Sequence, residues 1–487
     1  MTVYLVGAGP GDPGLITVRG AELLAGADVV VHDRLSAREL LDLAPPHAER
    51  IDVGKSPDGP SVPQERINEL LVERGRAGQQ VVRLKGGDPY VFARGAEEAE
   101  ALEAAGVDYE VVPGITSAVA VPAYAGIPVT MRYSSTSLTV VTGHEDPSKS
   151  RTDVDWESLA RVGGTIVILM GVANLDRITE RLLAGGLPPD TPAAAIRWGT
   201  RPEQRTVRAT LDTLRRHDLA PPSTIVVGEV ARRRLDWFER RPLFGRRVVV
   251  TRAGPQASEL SRRLRAVGAE VVEVPTIRIV DPGDGGVALR DALARVAGFD
   301  WVVVTSPNGA RRLCAGIRDG RDLAGVQLAA VGPGTAAVLA EHGLVADLVP
   351  PKAITESLLE AFPPAPAGGG RVLLVRAAVA RDVLPEGLRQ AGWEVEDVDA
   401  YRNVPAELDD RVRERIAGAE VVTFASASAV KNFVAAAGVD AVPPVVAAIG
   451  PITAAAATEL GLEVAVEAEE HTLDGLVRAL LNHLGTQ

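Results

Sequence analysis

Short β-branched apolar runs alternate along the chain with longer segments of Ala, Leu and Arg in helical patterns. The runs at 3–7, 27–32, 80–85 and 109–113 predict strands, as do those at 247–251, 270–274, 301–305 and 327–331. Gly and Pro punctuate most junctions. Strands alternating with helices predict an α/β fold with parallel or mixed sheets. The longest apolar segments, such as "TIVILMGVA", are of strand length and fall short of the ~18 residues a membrane span needs. The chain opens on a strand, Val3-Tyr4-Leu5-Val6, and not on a basic segment followed by an apolar one, so no secretory leader is expected.

The pattern breaks at "FERRPLFGRRVVVTR", where Pro242 and Gly245 separate a helical stretch from a new strand. This places a boundary at about 244, dividing the chain into 1–244 and 245–487. The second part repeats itself. Residues 245–280 align with 370–404, 300–313 with 419–433, and 328–344 with 446–462. The offsets at Arg252/Arg376, Ser306/Ser426 and Gly332/Gly450 are 124, 120 and 118 residues. Such a duplication predicts two similar α/β lobes with a ligand cleft between them.

A chain of 487 residues accommodates two to four domains, and its 46% hydrophobic and 24% charged residues are those of a globular protein. The net charge of −12 argues against nucleic acid as the main partner. One cysteine, Cys314, excludes an internal disulfide, and seven scattered histidines form no metal-ligand spacing, so no metal is expected and the cytoplasm is the expected compartment. Only five lysines (55, 85, 149, 352 and 431) stand among the 52 basic residues, so each is a candidate for a specific role.

The opening loop, "LVGAGPGDPGLIT", satisfies G-x-G-x-x-G at Gly9, Gly11 and Gly14, with Asp33 following 19 residues later. A dinucleotide site needs backbone N–H groups aimed at the pyrophosphate. Pro10 and Pro13 each remove one, so the loop reads better as a stiff wall. Two more strand-end loops carry chemistry. "VVRLKGGDPYVFARGAEEAEAL" places Gly86, Gly87 and Asp88 where open α/β sheets bind ligands, ahead of a helix expected at 90–104. "VVPGITSAVAVPAYAGIPVTMR" offers Thr116 and Ser117, either as caps of a helix at 117–121 or as ligand-facing hydroxyls.

These stretches, with "HDRL", "VTGHE", "LMG", "WGT" and "IVVGEV", make residues 1–240 resemble uroporphyrinogen-III C-methyltransferase, a tetrapyrrole (class III) methylase. The resemblance implies a two-lobed domain with S-adenosylmethionine between the lobes. The cofactor would touch Pro10, Gly86, Gly87, Asp88, Val91, Thr116, Ser117, Met170 and Gly199. The family's acid/base pair falls on Asp33 and Lys55, and a homodimer through this half is implied. Two departures are small: "LMG" where Tyr commonly precedes Met, and "ARGAEE" where "GRGGEE" is commoner.

The second part shows no triad and no phosphate loop. Its repeated strand ends carry hydroxyls and glycines, among them Ser306, Thr335, Ser426 and Thr453, which either cap helices or line a cleft suited to a polyanion. Arg252 and Arg376 stand at equivalent strand ends and could serve carboxylates. "VVVTRAGPQASELSRRLRAVGAEVVEVP", "VVTSPNGARRL", "AAVGPGT" and "AAIGPITAAAATELGL" make this half resemble uroporphyrinogen-III synthase. That family closes hydroxymethylbilane with inversion of ring D and uses no cofactor. Tyr401, in "DAYRNV", matches the position that assists hydroxyl departure, and Thr335 and Thr453 match cleft positions. Together the halves imply a bifunctional enzyme of tetrapyrrole biosynthesis that leads to precorrin-2, toward siroheme or cobalamin. A methylase with a degenerate synthase half, a non-catalytic tetrapyrrole carrier and a dinucleotide-dependent oxidoreductase are the alternatives.

Overall fold

The computed structural model describes residues 2–33, 38–54, 62–144, 154–251 and 255–485. Twenty strands form four five-stranded sheets among these residues. The first contains β1 (Val3–Gly7), β2 (Val29–His32), β3 (Glu49–Asp52), β4 (Val81–Lys85) and β5 (Tyr109–Val112), in the order β3-β2-β4-β1-β5. All its pairings are parallel. Helices cover both faces of such a sheet, which is why its middle strands read as unbroken apolar runs. Strand β4 is buried at every position, including Arg83 and Lys85.

The second sheet holds β6 (Leu138–Thr142), β7 (Thr165–Leu169), β8 (Pro192–Arg197), β9 (Arg205–Thr210) and β10 (Ser223–Val227), in the order β6-β7-β10-β8-β9. Only the β6–β7 pair is parallel, so this lobe is mixed. Two helix starts bear on the expectations. The helix after β4 runs from Gly95 to Ala104, later than 90, because Phe92 and Arg94 take left-handed backbone (φ 52° and 59°). The helix after β5 spans Ser117–Tyr124, and the Thr116 hydroxyl accepts the Ala118 N–H at 3.3 Å as its cap.

Ten strands follow: β11 (Arg247–Val250), β12 (Glu270–Glu273), β13 (Ile277–Val280), β14 (Trp301–Val304), β15 (Gln327–Ala330), β16 (Gly370–Ala377), β17 (Trp393–Pro405), β18 (Val421–Phe424), β19 (Val445–Ala448) and β20 (Val464–Glu467). They form two sheets, β12-β11-β18-β19-β20 and β13-β17-β16-β14-β15. Under the sequence repeat, β11 and β12 correspond to β16 and β17, and β14 and β15 to β18 and β19. The two sheets then share one strand order, so the duplication is real. The repeats, however, are not the lobes. Each lobe takes two strands from the first repeat and two from the second. The chain crosses between lobes twice, and beside these crossings β13 and the tail of β17 pair antiparallel, Ile277 opposite Pro405 and Val280 opposite Arg402.

Candidate active sites

The loops that leave β1, β4 and β5 at the carboxyl edge of the first sheet are stitched to one another. Gly9 and Gly87 exchange backbone hydrogen bonds of 3.2 and 2.8 Å. Gly7, Gly87 and Gly114 pack so closely that a Cβ on Gly114 would stand 2.2 Å from the Gly87 carbonyl oxygen. Asp88 joins two loops, accepting the N–H groups of Tyr90 (2.8 Å) and Gly114 (3.0 Å). The opening loop runs into a short 3-10 turn, Pro13–Leu15, and not into a long helix. Within it the Asp12 carboxylate accepts the Gly14 N–H at 2.8 Å. A carboxylate therefore occupies the place a pyrophosphate would need, which disfavours the dinucleotide reading.

These loops face the second sheet across a cavity of about 570 Å3, within the range of small-molecule sites. All nine positions implied for the cofactor line it: Pro10, Gly86, Gly87, Asp88 and Val91 from the first loops, Thr116 and Ser117 at the start of the helix after β5, and Met170 and Gly199 from the second lobe. Apolar side chains of Val121, Leu169 and Ile196 add to the wall. Six non-glycine residues have left-handed backbone among the described residues. Three of them, Phe92, Met170 and Trp198, line the cavity, and Arg94 and Thr200 directly follow lining positions. Each such residue stores ~1–3 kcal/mol that the surrounding fold must offset, a pattern typical of ligand sites. Sequence reasoning missed Trp198, Arg201 and the 221–224 segment, which also line the cavity. The tryptophan in "WGT", one of only five in the chain, was the available signal.

The walls are tied across the lobes through Asp12. Its backbone N–H donates to the Thr200 hydroxyl (3.0 Å), and its carboxylate accepts the Tyr124 hydroxyl (2.7 Å). Burial, and then the bond to Asp12, push the Tyr124 phenol well above its ordinary value of 10.0. Below that value the phenol is neutral in both folded and unfolded chains, and its contribution to stability is complete. Above it the unfolded chain ionises first, so the contribution falls as pH rises. Tyr124→Phe is expected to lower stability by about 1 kcal/mol at neutral pH. It should also flatten the alkaline decline of the urea midpoint above pH 10.0; an equally steep decline would show that other groups cause it.

Asp33 does not line this cavity. It sits just past β2 with its side chain 31% exposed, and its Oδ1 accepts from Arg83 Nη2 at 2.6 Å. Lys55, its expected partner, lies outside the described residues, and so does Arg252.

In the second half the serines at strand ends cap helices. Ser306 accepts the Gly309 N–H (3.1 Å), and its Oγ stands 3.0 Å from the Tyr401 hydroxyl, joining the end of β14 to β17. Ser426 accepts the Ala429 N–H at 3.2 Å, with Ser428 Oγ 3.1 Å away. Thr335 and Thr453 are buried in the first turns of their helices, each 4% exposed. Tyr401 is buried as well. Arg376 departs from expectation. Its guanidinium bonds Asp397 through two nitrogens (2.8 and 2.5 Å), Asp382 (2.9 Å) and the Arg381 carbonyl (2.9 Å). A substrate carboxylate would have to displace one of these acids. Among the described residues no cluster could hold a metal ion.

Comparison with known proteins covers both halves. A family model for tetrapyrrole (corrin/porphyrin) methylases matches residues 2–215, and one for uroporphyrinogen-III synthase HemD matches residues 258–478. The porphyrin biosynthesis protein HemD of Ruminiclostridium josui is 39% identical over 98% of this chain and 97% of its own. The S-adenosyl-L-methionine-dependent uroporphyrinogen III methyltransferase of Methanosarcina barkeri is 53% identical over 47% of this chain and 91% of its own. Among solved structures, the uroporphyrin-III C-methyltransferase of Thermus thermophilus, complexed with S-adenyl homocysteine, is 40% identical. It spans 48% of this chain and 99% of that one, with a TM-score of 0.42.

Proposed function

The chain belongs to the family in which a tetrapyrrole methylase is fused to a uroporphyrinogen-III synthase, and from that membership and the two sites we propose an enzyme acting twice in succession. The second half closes hydroxymethylbilane to uroporphyrinogen III with inversion of ring D. The first half transfers two methyl groups from S-adenosylmethionine to that product, giving precorrin-2. We place the boundary between them at 244. The methylase reading is supported above all by the convergence of nine residues, drawn from separate loops, on one cavity.

S-adenosylmethionine, when bound there, supplies an electrophilic methyl group on its sulfonium. The loop glycines fit such a ligand because they leave backbone exposed where side chains would intrude; Gly199, for one, has Val121 within 2.3 Å of its missing Cβ. The electron-rich pyrrole carbon attacks in line, so the protein's chief task is alignment and exclusion of water. Asp33 then takes the proton released as the methylated ring rearranges, and Lys55 acts as the acid. In the synthase half Tyr401 donates a proton to the departing hydroxyl, with Ser306 orienting it from the adjacent strand end. Among the described residues no helix is long and apolar enough to cross a membrane. We place the enzyme in the cytoplasm, a compartment that its single, unpaired cysteine suits.

The deciding experiment supplies hydroxymethylbilane together with methyl-labelled S-adenosylmethionine. Doubly labelled precorrin-2 is expected. Uroporphyrinogen I alone would mean an inert synthase half, and unlabelled uroporphyrinogen III an inert methylase. For Tyr401→Phe the synthase rate should fall ~10-fold, below the ~10²–10⁴ typical of proton donors, because the hydroxyl of this substrate departs readily. An undiminished rate in a stopped assay with hydroxymethylbilane would remove the role.

A further inference from the structure

Strand β4 carries two cations into the interior of the first lobe, where an uncompensated charge is very costly. Arg83 is 2% exposed and Lys85 1%. Their counter-ion is Glu98, fully buried on the helix Gly95–Ala104. One oxygen of Glu98, Oε1, accepts from Arg83 Nε (3.1 Å), Lys85 Nζ (2.8 Å) and Gln64 Nε2 (3.3 Å). Its other oxygen, Oε2, is buried with no hydrogen-bond partner. Arg83 spans the set, because its Nη2 reaches Asp33 at 2.6 Å while its Nε holds Glu98. Its Nη1 lies 3.4 Å from the backbone carbonyls of Val31 and Leu84, which restricts rotation of the guanidinium plane. Asp33 alone among the four charged groups has substantial exposure. Packed apolar side chains usually stabilise an interior at least as well as a buried ion set, so this set points to a role beyond stability.

We propose that Glu98 is a positioning residue for methyl transfer: by anchoring Arg83 at Nε it orients the opposite edge of the guanidinium onto Asp33, and so aims the carboxylate that receives the proton. Lys85 balances the second charge of the set, and its burial holds its amine below the usual lysine range. The proposal rests on the reading of Asp33 as the base.

The test uses the full chain with uroporphyrinogen III and S-adenosylmethionine. Two variants are made. Glu98→Ala removes the anchor, and Lys85→Met combined with Glu98→Leu removes it without leaving a buried charge unbalanced. Both should lose ~10–100-fold in kcat, the usual effect of releasing a group that orients a reacting one. The KM for uroporphyrinogen III and the Kd of S-adenosylhomocysteine should stay at parental values, because none of these residues lines the cavity. In an Asp33→Asn background, assayed over long single turnovers, the charge-balanced pair should cause no further loss. A parental kcat overturns the proposal. So does a loss of equal size in both backgrounds, a rise in Kd parallel to the fall in kcat, or failure of both variants to fold. Asp33→Asn at the parental rate would remove the base assignment itself, whereas a slow Asp33→Asn beside a fast charge-balanced pair removes only the role of Glu98.

Discussion

Asp33→Asn should leave the affinity for S-adenosylhomocysteine unchanged and slow methylation of uroporphyrinogen III by ~10²–10⁴-fold, the usual contribution of a positioned base. The separation of the two effects comes from geometry. Asp33 stands past β2 with Arg83 against it, off the cavity lined by Pro10, Gly87 and Met170. The amide keeps the size of the carboxylate and an oxygen for Arg83, so the fold is retained. What it loses is the capacity to take a proton. Calorimetric titration with S-adenosylhomocysteine and a rate measured with labelled methyl donor read the two quantities separately. Equal losses in both would mean that Asp33 shapes the cavity. Unchanged rates in Asp33→Asn and in Lys55→Met would mean that neither residue handles the proton.

Gly114→Ala should have the opposite signature, loss of ligand binding with the chemistry residues intact. A methyl group at this position meets the Gly87 carbonyl oxygen at 2.2 Å and the Gly7 Cα at 2.6 Å, both backbone atoms that no rotamer change can clear. The loop after β4 must therefore move off the loop after β5, breaking the bond from Gly114 N–H to Asp88. Overpacking of this kind costs about 1–3 kcal/mol, and here the displacement falls on Gly87 and Asp88, which line the cavity. The Kd for S-adenosylhomocysteine should rise by ~10–100-fold, which is that energy converted to affinity. A Gly114→Ala chain that binds normally would mean that the loops have room the glycines do not use.

Strands and the cofactor wall were legible in the sequence because both are local. The run "WVVV" needs only its own residues to announce a strand, and Trp301–Val304 forms one where the run predicts it. Arg83 and Lys85 are the counterexample. Polar residues within a strand read as its solvated positions, yet both are buried, since their partners Glu98 and Asp33 arrive from a helix and from the end of another strand. Arg376 differs from expectation for the same reason: its match to Arg252 in the repeat says nothing of Asp382 and Asp397, which hold its guanidinium. The repeat itself was visible as an offset, but an offset records likeness and not pairing. That β11 lies beside β18, and β14 beside β16, depends on long-range registers.

The crossed lobes of the synthase half bear on how the protein is made. In the lobe built from both ends of this half, Thr423 donates its hydroxyl to the Val249 carbonyl, a partner 174 residues earlier. Strands β11 and β12 therefore emerge from the ribosome long before the strands that complete their sheet. The lobe formed by β13 through β17 is contiguous and can close while synthesis continues. During that interval β11 presents an unpaired apolar edge, Val248 to Val250, to whatever is nearby. The methylase, finished earlier, is the part of the nascent chain standing next to it.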